Sequence, residues 1–136
     1  MKYIYLIATE TVKSIENEQF FAPTLNEAGI VVRDIHDLPR ITQHDVAVAN
    51  VNITRLIKKR SEKVGKEIKV ISLITPEKIM IQRLKGATSD EVQKAVKKEM
   101  LYALQEADYC VPAEEMEVAA GLVINIIRTI EDNEQG

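Results

Sequence analysis

Residues 68–112, IKVISLITPEKIMIQRLKGATSDEVQKAVKKEMLYALQEADYCVP, decide the fold. Their first seven residues, 68–74, are short, β-branched and mostly apolar, which is typical of a parallel strand buried on both faces. Thr75 then offers a side-chain oxygen as an N-cap, and Pro76 is suited to the first position of a helix because its missing N–H is not needed there. Gly86 ends that short helix.

A second, longer helix follows in the same stretch. Residues 88–91, TSDE, have the spacing of a capping box, in which the first and fourth residues satisfy each other's backbone N–H groups. The helix then presents one apolar stripe, made of Val92, Val96, Met100, Ala103, Leu104 and Ala107. Residues 109–111 are long enough only for a short strand, so the stretch predicts a strand, two helices and a second strand in order.

The same alternation extends to the rest of the chain. Apolar, β-branched runs predict three further strands, at residues 3–8, 30–32 and 45–49. Helical patterns and glycine stops predict helices at about 12–21, 23–29, 52–65 and 113–130, and a polar, disordered tail at 131–136. Strands that alternate with helices favour parallel pairing. We therefore expect one α/β domain over residues 1–136, a three-layer sandwich with a mostly parallel sheet of about five strands.

The 68–112 stretch resembles the C-terminal part of guanylate kinases, in the P-loop nucleoside monophosphate kinase superfamily. The resemblance rests on a strand with a Pro-containing turn, the pair Arg83-Leu84, the Thr/Ser-acidic segment 88–91, and the acidic-Tyr strand 108–111. It covers about a third of the chain well. It implies a P-loop-kinase-like core in which a loop after the first strand binds ATP phosphates and Mg²⁺.

That loop lacks the residues the chemistry requires. A phosphate loop needs two glycines, whose backbone N–H groups close around the phosphates, and then a lysine and a Ser/Thr. Residues 7–14 are IATETVKS, so Ile7 and Val12 stand at the glycine positions although Lys13-Ser14 follow. Thr9, Glu10, Thr11, Lys13 and Ser14 therefore read as a relic loop, and Glu10 adds a carboxylate where phosphate would bind. Surface residues of an ordinary helix would give Lys13-Ser14 equally well.

Other departures from the guanylate kinase pattern agree with a loss of phosphoryl transfer. Asn50 stands where the family has an acidic residue after its third strand, and an amide is a poor replacement for a Mg²⁺-organising carboxylate. The lid segment at Gly86 lacks the family's arginine. The chain is also short around residues 33–44, where the lobe that binds the nucleoside monophosphate would be inserted.

Polar residues near the predicted strand ends are the first candidates for ligand binding, because open α/β sheets bind ligands at the carboxyl ends of their strands. These candidates are Arg33, Asp34, His36, Asn50, Asn52 and Thr75. Solvated loop positions account for them as well. His36 and His44 match no metal-ligand spacing, so we expect no metal site and no catalytic residue. The single cysteine, Cys110, is expected to be a buried small hydrophobe.

Composition restricts the classes of function. The chain has 136 residues, 46% hydrophobic, 29% charged, and a net charge of −3, so no basic surplus favours nucleic acid. No apolar run reaches the roughly 20 residues of a membrane span, and no secretion signal is visible, so we expect a cytoplasmic protein.

Two hypotheses follow. The first is a catalytically degenerate guanylate kinase-like domain that binds a protein partner or self-associates, with no cofactor. The second is a nucleotide- or small-molecule-binding enzyme that uses the altered loop, with ATP or GMP and Mg²⁺.

Overall fold

A computed structural model describes residues 4–10, 20–34, 46–50, 54, 67–76 and 90–135 of the chain. The described strands are β1 (Ile4–Thr9), β2 (Val32–Asp34), β3 (Val46–Asn50), β4 (Ile68–Ile74) and β5 (Tyr109–Pro112). The described helices are α1 (Ala22–Glu27), α2 (Asp90–Glu106) and α3 (Met116–Gln135). Apart from Phe20, Phe21 and Pro76, the predicted helices at about 12–21 and 76–86 lie outside the described residues, as does the helix at 52–65 except for Thr54, which is helical.

The strands form one five-stranded sheet in the order β2-β3-β1-β4-β5. All four neighbouring pairs are parallel. The predicted α/β class with a parallel sheet is therefore confirmed. β1 is central because its residues are apolar on both faces, and it pairs with β3 on one side and with β4 on the other.

Helices cover both faces of the sheet. On one face, Tyr5 and Ile7 of β1 and Ile71 and Leu73 of β4 belong to a core cluster. That cluster also contains Phe21, Leu25, Ala120, Val123 and Ile127, from α1, α3 and the turn before α1. On the opposite face, the buried Ser72 donates a hydrogen bond from its hydroxyl to the carbonyl oxygen of Ala103 in α2, at 2.8 Å. Successive residues of a strand point to opposite faces of the sheet. β4 therefore packs against the helices on both faces.

The end of α1 explains where β2 begins. Gly29 has a φ of 82°, a conformation that favours glycine. The N–H of Gly29 bonds to the carbonyl of Asn26 at 3.0 Å, and that of Ile30 bonds to Leu25 at 2.9 Å. This is a Schellman motif with its usual apolar contact, since Leu25 and Ile30 are both buried in the core. The N–H of Ile30 is used in the motif, so the strand predicted at 30–32 begins instead at Val32.

The connection from β4 to β5 is held by Asp108. Its carboxylate oxygen Oδ2 accepts a hydrogen bond from the backbone N–H of Val70 at 2.7 Å. Its own N–H donates to the carbonyl of Val70 at 2.8 Å. Through these two hydrogen bonds, Asp108 fixes the start of β5 against β4.

The last helix, α3, buries the predicted face: Met116, Ala120, Val123, Ile127 and Ile130 are all buried. The hydroxyl of the fully buried Tyr5 in β1 donates a 2.8 Å hydrogen bond to Oε1 of Glu131. The helix continues to Gln135. Residues 131–135, which the sequence predicts as a disordered tail, are thus helical, and Tyr5 supplies one physical reason.

Two burial predictions near β5 are wrong. Leu104, assigned to the inward stripe of α2, is 51% exposed, although Ala103 beside it is fully buried. Cys110 is exposed and not buried. Both lie at the outer edge of the sheet, where β5 has a neighbouring strand on one side only. At an edge the sheet is too narrow to cover the whole apolar arc of a helix.

Candidate functional site

The strand order creates one place where the sheet favours ligand binding. The chain leaves β1 towards β2 on one side of the sheet and leaves β4 towards β5 on the other side. Neighbouring strands whose connections diverge leave a crevice outside their carboxyl ends. The candidate site therefore lies between the ends of β1 and β4.

Buried polar residues lie at both strand ends. Thr9 is fully buried at the end of β1, and the next residue, Glu10, is only 2% exposed. Oε1 of Glu10 accepts a long hydrogen bond, 3.4 Å, from the backbone N–H of Thr75, the first residue after β4. The Glu10 carboxylate therefore bridges the two strand ends from inside the protein.

Thr75 carries the one buried polar atom of the site whose hydrogen bonding is incomplete. Its side chain is 1% exposed, and its Oγ1 has no hydrogen-bond partner within the described part of the chain. Burying a hydroxyl without a partner is unfavourable, so such an atom is expected where strain or an additional ligand compensates. Its predicted role as an N-cap involves residues outside the described ranges.

The structure brings some of the predicted ligand candidates together and separates others. Thr9 is in register with Asn50, the last residue of β3, so Thr9, Glu10, Asn50 and Thr75 share the ends of three adjacent strands. Arg33 and Asp34 lie in β2, beyond β3 and about 10 Å from β1 at the usual strand spacing. The remaining candidates fall outside the described residues: Thr11, Lys13, Ser14, His36 and Asn52.

Two buried polar residues, Ser72 and Thr54, are not predicted from the sequence. Ser72 is fully buried and holds α2 on the sheet through its hydroxyl. Thr54 is also fully buried. Short hydroxyl side chains fit apolar strands and helices without breaking their periodicity, so only the three-dimensional burial reveals them.

The described residues contain neither a group of metal-ligating side chains nor a helix suited to crossing a membrane. Within residues 4–10, 20–34, 46–50, 54, 67–76 and 90–135, no three His, Cys, Asp or Glu side chains group as metal ligands would. Among the same residues, no helix combines the length and apolar character needed to cross a bilayer.

Comparison with known proteins establishes the fold and nothing finer. The chain is similar to a de novo designed protein with the P-loop NTPase fold, with a TM-score of 0.54 and 12% identity, over 99% of this chain and 96% of that one. It is also similar to shikimate kinase from Acinetobacter baumannii, in complex with shikimate, with a TM-score of 0.58 and 14% identity, over 100% and 96% of the two chains. No protein-family model and no curated protein sequence matches the chain. The fold of the chain therefore resembles that of P-loop NTPases.

Proposed function

We propose that the chain is a catalytically degenerate guanylate kinase-like domain, which has kept the P-loop fold and acts as a protein-binding, regulatory or structural oligomeric module. The observation that carries the proposal is the burial of Glu10 against the backbone N–H of Thr75. In a P-loop protein, the segment directly after the first strand wraps the phosphates with backbone N–H groups. Here that segment begins with a buried acidic side chain.

An acidic side chain beside a phosphate disfavours binding. Where both groups are charged, two like unit charges 4 Å apart repel by about 4 kcal/mol at an effective dielectric constant of 20, which corresponds to about a thousandfold in affinity. A nucleotide carries more than one phosphate charge, so the repulsion is larger for ATP. Val12 stands at the second glycine position and acts in the same direction, because a β-branched residue disfavours the open turn that phosphate needs. Ile7, at the first glycine position, lies within β1 and not in a loop.

A second candidate function rests on a different observation. The unpartnered hydroxyl of Thr75, next to Glu10, is a hydrogen-bonding position that a small molecule would complete. The alternative is therefore a nucleotide- or small-molecule-binding enzyme that uses the altered loop between β1 and β4. Only this alternative involves ATP or GMP with Mg²⁺.

Thermal unfolding of the purified chain with and without ATP, GTP, GMP and Mg²⁺ separates the two functions. A ligand at 100 times its dissociation constant stabilises the folded state by about 2.7 kcal/mol, a shift of several degrees for this chain length. We expect no shift with any nucleotide and no phosphoryl transfer from ATP to GMP. A shift that Thr75→Val abolishes favours the alternative, and measurable transfer to GMP refutes the degenerate domain.

A further inference from the structure

The outer edge of the sheet carries exposed apolar side chains. Among the described strands, β5 is the last in the sheet order, so no described strand lies on its outer side. Tyr109 and Cys110 of this strand are exposed. Edge strands are usually protected by charged side chains, prolines or short length, because an open edge pairs readily with another strand. β5 has four residues and ends in Pro112, so Tyr109, Cys110 and Val111 are the residues that offer backbone N–H groups.

The helix on one face adds two large side chains at this edge. Leu101 and Leu104 of α2 are 54% and 51% exposed, whereas Ala103 faces the sheet and bonds to Ser72 of β4. Successive helical residues are rotated by about 100°. In a right-handed β4–α2–β5 crossover this rotation turns Leu104 away from β1 and towards the β5 edge.

On the opposite face of the sheet, α3 also carries two exposed apolar side chains. Val118 and Leu122 of α3 are 55% and 39% exposed, although Ala120 and Val123 are buried against the sheet. α3 follows β5 and runs antiparallel to it, so the same helical rotation directs Leu122 towards the β5 edge. Exposed apolar side chains therefore flank β5 on both faces. We call this surface the β5 edge face: Leu101, Leu104, Tyr109, Cys110, Val118 and Leu122.

The size of the β5 edge face fits a modest protein interface. If each half-exposed large side chain contributes roughly 80 Å², its five large members expose on the order of 400 Å², about half of what one partner contributes to a standard interface. The backbone edge of β5 and the adjoining polar helix surface add the remainder. A ligand bound on one face of the sheet would cover the exposed side chains of one helix only. A partner that covers the whole β5 edge face needs a strand edge with a helix on each face of its sheet.

We propose that the β5 edge face binds a second copy of this chain, with the two β5 strands antiparallel about a two-fold axis perpendicular to the sheet. The proposal rests on the proposed function and gives the oligomeric module its partner. The symmetry places α2 beside its own copy, and likewise α3. With strands about 4.8 Å apart and α2 over the β4–β5 pair, the two α2 axes lie about 10 Å apart, a normal helix packing distance. Leu104 then faces its own copy, and Leu101 lies at the outer border of this contact.

Sedimentation velocity and a short bis-maleimide cross-linker test the interface with the full chain. Cys110 is the only cysteine, and two-fold pairing brings the two thiols close together, so we expect a cross-linked dimer that Cys110→Ser abolishes. Leu104→Lys on one face and Leu122→Lys on the other should each weaken dimerisation at least tenfold. Val31→Lys is the matched control, because Val31 is 56% exposed but precedes β2 at the opposite edge.

Each result has a defined meaning once circular dichroism has shown that the variants are folded. A dimer that is lost in both leucine variants and kept in Val31→Lys supports the proposal. A chain that stays monomeric up to about 1 mM, or a dimer that only Val31→Lys disrupts, overturns it. Nucleotide binding and transfer to GMP are measured on the same samples, so a failed interface and a failed proposed function give different results.

Discussion

The hydrogen bond between Tyr5 and Glu131 offers a quantitative test of how α3 is anchored. Tyr5→Phe removes only the hydroxyl, which lies 2.8 Å from the Glu131 carboxylate oxygen, 126 residues away in sequence. Hydrogen bonds to charged groups contribute about 1.5–3 kcal/mol, and the half-buried carboxylate is able to regain water when the hydroxyl is lost. We therefore expect a loss of about 1–2 kcal/mol in the free energy of unfolding.

The opposite deletion removes the same hydrogen bond from the acceptor side. Glu131→Ala takes the charged acceptor from the fully buried Tyr5 hydroxyl, and we expect a loss of about 1.5–3 kcal/mol. The double variant should recover part of the loss, with a coupling energy of about 1 kcal/mol. At a few degrees per kcal/mol, each single variant lowers the melting temperature measurably.

Urea unfolding followed by circular dichroism measures all four corners of this cycle. One control matches the carboxylate deletion: Asp132→Ala removes an exposed carboxylate one residue after Glu131. It should change the free energy of unfolding by less than about 0.5 kcal/mol. A coupling energy indistinguishable from zero would refute the reasoning, because α3 would then not be held to β1 through this pair.

Three further predictions concern single positions. Ser72→Ala should cost about 1 kcal/mol of stability in urea unfolding, because Ala103 loses its 2.8 Å hydrogen bond from β4. Gly29→Ala should cost about 1 kcal/mol although a Cβ meets nothing within 4 Å, since the φ of 82° is unfavourable for alanine; an unchanged melting temperature would contradict this. Thr75→Val, which replaces an unpartnered buried hydroxyl by a methyl group of similar size, should be neutral or raise the melting temperature. A large loss of stability in Thr75→Val would show that the hydroxyl has a structural partner.

The sequence predicts the centre of this fold better than its edges. β1 and β4 are recognisable because residues buried on both faces must be apolar throughout, and the glycine at position 29 marks the end of α1 by its backbone conformation. Leu104 and Cys110 were assigned to the interior because periodicity shows which residues are apolar and not how far the sheet extends. The width of a sheet is a tertiary property, so exposure at β5 cannot be read from local pattern.

The sequence predicts where the candidate site lies but not the burial or the chemistry of its residues. The end of β1 and the residue after β4 were both expected at the carboxyl edge of the sheet, and the structure joins them through Glu10 and Thr75. The sequence does not show that Glu10 is buried, because an isolated glutamate after a strand is usually solvated. At 12–14% identity to the similar solved structures, the fold carries no information about the chemistry at that position either.

The Thr75 hydroxyl and the Glu10 carboxylate act in opposite directions on a phosphate ligand. Comparing the two free energies indicates which class of ligand the site favours. Completing the hydrogen bonding of Thr75 Oγ1 gains about 1–3 kcal/mol. Two like unit charges 4 Å apart repel by about 4 kcal/mol at an effective dielectric constant of 20, so a phosphate beside a charged carboxylate loses more than the Thr75 hydroxyl gains. A neutral or cationic hydrogen-bond donor meets no such opposition, because the carboxylate then acts as a second acceptor. We therefore expect a compound that stabilises the protein in this crevice to be uncharged or positively charged.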